Sequence, residues 1–240
     1  MKRGASAVPQ PRQESRRALR DGLGAVSPLL VGVIPFGLAF GVAAGQSVVG
    51  GGLGYASSLI IFAGAAQLAA LQLFDTGAAT AVVIATALVV NSRHLMYSAA
   101  LAPHFREFPR RWRFVLPYIM TDQAFAVSVT RYAIDSPTPA YKRWFYTGGA
   151  MALWVTWQVT TGLGVLVGGG VPDSWSLDFA IPLVFLALLV PAASTRPGLA
   201  AALVGGGIAV LGNGIPYNLG LIIGALCGVA AGVVAERVIS

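Results

Sequence analysis

Charge is what this chain has least of. Asp, Glu, Lys and Arg together make up 10% of its 240 residues, against about 25% in an ordinary soluble domain, so water cannot be the solvent for most of the surface. Cysteine is nearly missing as well. The single Cys227 rules out an internal disulfide, and a thiol in an apolar run stays protonated and inert. With only His94 and His104 beside it, no metal-ligand spacing can be assembled, and neither a metal nor a cofactor is expected. The sequence contains no Gly-Lys-Ser/Thr loop for nucleotide phosphates and no Gly-x-Ser-x-Gly nucleophile motif. Those absences argue against an ATPase and against an enzyme.

What the chain does have is apolar length. Hydrophobic residues make up 56% of it, with 30 glycines besides. The stretch from Gly22 to Phe74 runs 53 residues without a charge, where one helical crossing of a bilayer needs about 20. Apolar runs predict eight segments, near 24–45, 53–74, 77–100, 115–133, 145–168, 178–194, 198–212 and 215–235. The fold class that follows is an all-α polytopic integral membrane protein with about 6–8 transmembrane or re-entrant helices. Residues 1–21 read as a basic, disordered cytoplasmic tail, and 22–240 as a single multi-pass domain in the plasma or inner membrane. Ser15-Arg-Arg-Ala-Leu-Arg20 has the look of a twin-arginine signal, but seven further apolar segments follow, so the first segment reads as uncleaved.

The net charge of +7 is concentrated rather than spread. Lys2, Arg3, Arg12, Arg16, Arg17 and Arg20 lie in the tail and Arg106, Arg110, Arg111 and Arg113 in one loop, 10 of the 16 basic residues. That is the positive-inside signal, not a groove that tracks nucleic acid. It places the N-terminus inside and, through Arg237, the C-terminus inside too. The number of crossings stays open. Eight simple crossings put the 106–113 loop outside, against the rule. A re-entrant 24–45 brings that loop inside and leaves Asp75 outside, and then 115–133 must return to its own side, because Lys142 and Arg143 also belong inside. Two glycine ladders at four-residue spacing, Gly37-Gly41-Gly45 and Gly220-Gly224-Gly228-Gly232, predict close helix approach, either within the chain or against a second subunit.

An ionisable or polar side chain at membrane depth is expensive and marks the places to look for function. In Gly32-Val-Ile-Pro-Phe-Gly37, Pro35 removes a backbone donor beside Phe36 and Gly37. This predicts a broken helix that could present a dipole end to a substrate, or a plain proline kink. In Asn91-Ser-Arg-His-Leu-Met-Tyr97, helical spacing sets Asn91, His94 and the following Ser98 on one face with Arg93 and Tyr97 on the next. The Arg-His pair could fix a carboxylate or relay a proton, or both side chains could snorkel to the interface. In Thr121-Asp-Gln123, Asp122 is the most deeply placed acid. A desolvated carboxyl favours its protonated form, which suits a group that takes up and releases a proton. The rival role is a structural partner of Arg93, Arg131 or a helix N-terminus. Gly64 and Gln67, within Phe62-Ala-Gly-Ala-Ala-Gln67, and the stripe Trp154, Trp157, Gln158 and Thr161 are weaker candidates.

Taken together, Ile34-Pro-Phe-Gly37, Phe62-Ala-Gly-Ala-Ala-Gln67, Asn91-Ser-Arg-His-Leu-Met-Tyr97, Thr121-Asp-Gln-Ala-Phe-Ala126 and Trp157-Gln158 resemble the AzlC family, the large subunit of branched-chain amino acid exporters. The pieces occur in family order from about residue 22 onward. The resemblance implies export of leucine, isoleucine and valine by an ion-coupled secondary transporter, with a small hydrophobic AzlD-type partner subunit. It departs at one place, where the family's usual Thr-Asp-Glu reads Thr-Asp-Gln123. If that glutamate carries protons in the family, this chain relies on Asp122 or couples differently.

Under that reading Asp122 serves the substrate ammonium or the coupling proton, and Arg93 with the Pro35–Gly37 break serves the carboxylate. An apolar pocket takes the side chain. One methylene there is worth about 1–3 kcal/mol, so a broad apolar range extending to methionine is expected. The alternatives are an exporter or channel for another small solute, and a structural subunit of a transport complex.

Overall fold

The computed structural model describes residues 11–135, 137–168, 195–212, 214–215 and 219–239. Every regular element among them is helical. The chain divides into two compact units, Met1–Trp175 and Ser176–Ser240. The first contains α1 (Pro11–Gln46), α2 (Gly51–Ile60), α3 (Gly64–Asp75), α4 (Thr80–Asn91), α5 (Arg93–Phe105) and α6 (Arg110–Val115), then a 3₁₀ turn (Leu116–Ile119), α7 (Asp122–Asp135) and α8 (Pro139–Gly168). The described helices of the second are α9 (Arg196–Leu211) and α10 (Leu219–Ile239).

The first unit is built on α1 and α8, both long and apolar enough to cross a membrane. Their 36 and 30 residues make rods of about 54 and 45 Å at 1.5 Å per residue. They lie side by side and parallel. Gly22 abuts Phe145, Gly37 abuts Thr160, Gly41 abuts Thr161 and Gly164, and Gly168 abuts Val42. A Cβ at Gly22 or Gly41 would run into the partner's backbone, so the first glycine ladder is consumed by packing within the chain. The second ladder is used the same way in the second unit. There Gly220 lies on Gly212, Gly224 on Gly205 and Ala209, and Gly232 on Ala201, making α9 and α10 an antiparallel pair.

Two expectations about α1 need correction. Pro35 does not break it: the helix runs unbroken through Pro28 and Pro35. A proline forfeits one backbone hydrogen bond but has a helical φ, and Gly37, Gly41 and their neighbours hold both sides of the site against α8. Residues 11–21, read as part of a disordered tail, form the first turns of the helix. Glu14 stands in the first turn, where an acid complements the helix dipole, and Asp21 accepts a 2.6 Å hydrogen bond from the Tyr141 hydroxyl.

The helix breaks fall elsewhere. Segment 53–74 splits into α2 and α3 at Ile61–Ala63, and the chain turns back there. Gly54 packs on Ala44 near the far end of α1, and Gly64 packs on Phe36 and Trp157 halfway down. Asp75 then returns to the far end, where its carboxylate accepts hydrogen bonds from the Ser47 hydroxyl at 2.7 Å and the Val48 amide at 2.9 Å. Helices of 10 and 12 residues descend and climb about 15–18 Å, half a bilayer. Thus 51–75 is the returning segment, not 24–45.

From there α4 and α5 run the full height, interrupted at Ser92, and arrive beside the start of α8. Phe105 meets Tyr146 edge-on, 5.0 Å between centroids, and Glu107 pairs with Lys142 at 3.0 Å. A second return follows from this basic end. α6 and the 3₁₀ turn climb to Tyr118, which hydrogen-bonds the Leu59 carbonyl, and α7 comes back down to Tyr132, bonded to the Lys142 carbonyl at 2.8 Å. The chain through 110–135 therefore leaves the start of α8 and comes back to it.

The surface chemistry is inverted relative to a water-soluble fold. Leu88 and Leu166 are 68% and 78% exposed while Ser58 and Thr161 are fully buried. Large apolar side chains facing out around buried polar ones suit a hydrocarbon solvent. Segment 178–194, Asp173, Asp178, Pro182 and Pro216 lie outside the described residues.

Candidate functional site

Both returns turn at the middle of α8, and each tip carries a polar cluster. At the first, Phe62 adopts φ 40°, a left-handed conformation that costs a non-glycine residue roughly 1–2 kcal/mol. Gln67 holds this turn in place. Its Oε1 accepts the Ala63 amide at 3.1 Å, and its Nε2 donates to the hydroxyls of Ser57 at 2.9 Å and Ser58 at 3.0 Å. The amide thus caps α3 from one turn inside it and ties the two limbs of the return together.

From α8, Trp157 donates its indole N–H to the Ser58 hydroxyl at 3.2 Å, and Gln158 donates to the Ser58 carbonyl at 3.0 Å. Phe36 meets Trp157 edge-on at 5.3 Å, and Phe40 stacks on it at 5.6 Å. Gly64 is small because the Trp157 ring occupies the space a side chain would need. Of the α1 candidates, then, Phe36 reaches this cluster. Gly37 is a packing residue against Thr160, and Pro35 faces away from the core as an exposed residue.

The second cluster forms where two more helix starts face each other. Thr121 caps α7, accepting the Ala124 amide at 3.2 Å, and Asp122 follows in the first turn. Arg93 opens α5, a position where a cation opposes the helix dipole. Its Nη1 meets Asp122 Oδ2 at 2.7 Å, which offsets that conflict. The pair is not sealed: the side chains of Arg93 and Asp122 are 35% and 41% exposed. Around it Tyr97 stacks on Phe125 at 4.4 Å, and His94 lies edge-on to Tyr97 at 5.7 Å. The His94 ring nitrogen sits 3.2 Å from the Asn91 carbonyl. Gln123 is half-buried beside Asp122.

The structure thus sorts the sequence candidates into two groups. Phe36, Gly64 and Gln67 belong to the first tip, and Asn91, Arg93, His94, Tyr97, Asp122 and Gln123 to the second. What joins the groups was not singled out from sequence. Tyr118 bonds the first tip at Leu59 and accepts the Trp154 indole N–H at 3.4 Å. Ser58, at the centre of the first cluster, was missed too, although a Ser-Ser pair in an apolar run is a visible signal. Several buried polar atoms here find no protein partner: Asn91 Oδ1, Arg93 Nε, Gln158 Oε1 and Thr161 Oγ1. Groups of that kind are satisfied by a ligand or water; Ser128 Oγ and Arg143 Nε, away from the tips, are unpartnered as well.

The model of the AzlC protein family matches residues 28–171. The chain belongs to the AzlC family. The AzlC match spans both returns and ends beyond α8, so the whole arrangement just described lies within it. An Archaeoglobus fulgidus protein described as an uncharacterized membrane protein is 33% identical over 87% of this chain and 91% of its own length. The inner membrane protein YgaZ of Escherichia coli is 25% identical over 93% and 92%, and an uncharacterized membrane protein of Helicobacter pylori is 26% identical over 74% and 76%. No solved structure matches the chain. With relatives of this description and an apolar exterior, this AzlC chain is a helical membrane protein.

Proposed function

We propose that the protein is a secondary transporter that exports apolar amino acids, leucine, isoleucine and valine foremost, across the plasma or inner membrane. The observation that carries this reading is the Arg93–Asp122 pair, 2.7 Å apart and part-exposed between two helix starts at the middle of an apolar-faced bundle. Broken helices that present charged and dipolar groups at mid-depth are how many transporters hold a zwitterion. Asp122 offers a site for the ammonium or for a coupling proton. Once Asp122 is neutralised by either, Arg93 is released to take the carboxylate.

Positive-inside charge supports a cytoplasmic basic end, where Arg12, Arg16, Arg17 and Arg20 of α1 and Lys142 and Arg143 of α8 start in parallel. With 51–75 and 110–135 as re-entrant segments and three further apolar runs after α8, the reading has six full crossings and both termini inside. Residues 22–240, both units included, serve as one transport domain. The small hydrophobic AzlD-type subunit that the family resemblance implies completes the proposal.

The test is leucine efflux from cells loaded with leucine-containing dipeptides, for the chain alone, the chain with its small membrane partner, and Asp122→Asn. Accelerated efflux that disappears in Asp122→Asn at equal membrane abundance is the expected result. Equal efflux of leucine, isoleucine, valine and methionine within about tenfold fits a pocket that senses only methylenes. No acceleration for any apolar amino acid, with the protein present in the membrane, overturns the reading.

A further inference from the structure

We propose that a cavity between α5 and the rising limb of the second return is the side-chain pocket for the apolar amino acid, with Ala102 and Met120 setting its size. This rests on the transport reading above and assigns residues to it that neither the family match nor the sequence motifs single out. The cavity is a half-open cleft of about 260 Å³, just below the lower bound of roughly 300 Å³ for small-molecule sites. That suits an amino acid rather than a larger metabolite. Its walls are Leu101, Ala102, Phe105, Pro117 and Met120, which offer no charged group to a side chain.

Its ends differ in chemistry. Arg106 and Arg113 stand at the basic end, two cations that attract a carboxylate from that side and repel cationic solutes. The lining farthest from the arginines is Ser98, which is exposed, together with the buried Met120. Met120 precedes Asp122 by two residues, and Ser98 lies one helical turn from His94 on α5. The pocket is thus bordered by two arginines at one end, and at the other its lining comes within two residues of Asp122, although the Arg93–Asp122 pair itself does not line it.

The experiment uses the full chain in a Cys227→Ser background carrying Ala102→Cys, in sealed vesicles of either orientation, with a membrane-impermeant maleimide. Labelling is expected from the face that bears the Arg106–Arg113 loop. Leucine or methionine should slow it several-fold, and aspartate or lysine should not. Ser98→Cys reports the same cavity if Ala102→Cys fails to accumulate. Adding Met120→Ala should shift protection toward phenylalanine over valine by about tenfold.

Labelling indifferent to every apolar amino acid, as a lipid chain or plain void would give, overturns the proposal, and so does equal protection by aspartate. The two readings fail separately. Intact leucine efflux with no protection at either cysteine removes this pocket and leaves the transporter. Protection by leucine without efflux keeps the pocket and removes the transport reading.

Discussion

Arg93 and Asp122 are each poorly explained alone and well explained together. A cation in the first turn of a helix opposes the dipole, and a carboxylate at mid-depth needs a partner. The 2.7 Å contact answers both problems, which is the structural role anticipated for Asp122 beside the functional one. A double-substitution cycle separates the two roles. Arg93→Gln and Asp122→Asn should each lower the thermal stability of the purified protein, because each leaves one charge unpaired. The double variant should regain part of that loss, and all three should be inactive in efflux. Additive destabilisation in the double variant would mean that the pair contributes no coupling in the folded state.

At the scale of elements, the glycines that matter are those facing another backbone. A side chain at Gly41 collides with the Thr161 carbonyl and Gly164, whereas Gly24, in the same helix, has open space around it. Gly41→Val should therefore abolish accumulation in the membrane or lower the melting temperature sharply. Gly24→Ala should be neutral or stabilising by about 1 kcal/mol, from helix propensity alone. Thermal melting in detergent reads both, and similar melting temperatures for the two variants would count against the α1–α8 interface.

Those ladders were legible in the sequence because four-residue spacing is a direct signature of one helix face. The helix breaks were not. Pro35 advertises a break and makes none, since its neighbours are clamped by α8. Phe62 gives no sign of its left-handed turn, because the cause is Gln67 and two serines reaching across the return. The motifs around Asn91, Thr121 and Gln67 did point to residues that the fold gathers at the two tips, since a polar group in an apolar run needs a partner. Which helix start faces which depends on tertiary packing that no local pattern encodes.

Over the first unit, the element order has a symmetry. A full-height element, α1, is followed by a return from the far end. A second full-height element, α4 with α5, runs the opposite way and is followed by a return from the basic end. Elements of opposite sense suit the transport proposed above, since inverted-repeat transporters place the substrate where their repeats meet. Here the meeting place is the Tyr118–Leu59 contact with the Arg93–Asp122 pair close by. The arrangement makes a sharp statement about sidedness. Six crossings with two returns put Thr76 outside and Arg111 inside, while eight simple crossings from the same N-terminus put Thr76 inside and Arg111 outside. Both residues are exposed, so Thr76→Cys and Arg111→Cys in the Cys227→Ser background can be read with an impermeant maleimide on intact cells. Labelling of Thr76→Cys but not of Arg111→Cys is expected. The reverse pattern would make 51–75 a crossing, detach Asp75 from Ser47, and dissolve the mid-depth site, because its two tips would no longer enter from opposite faces.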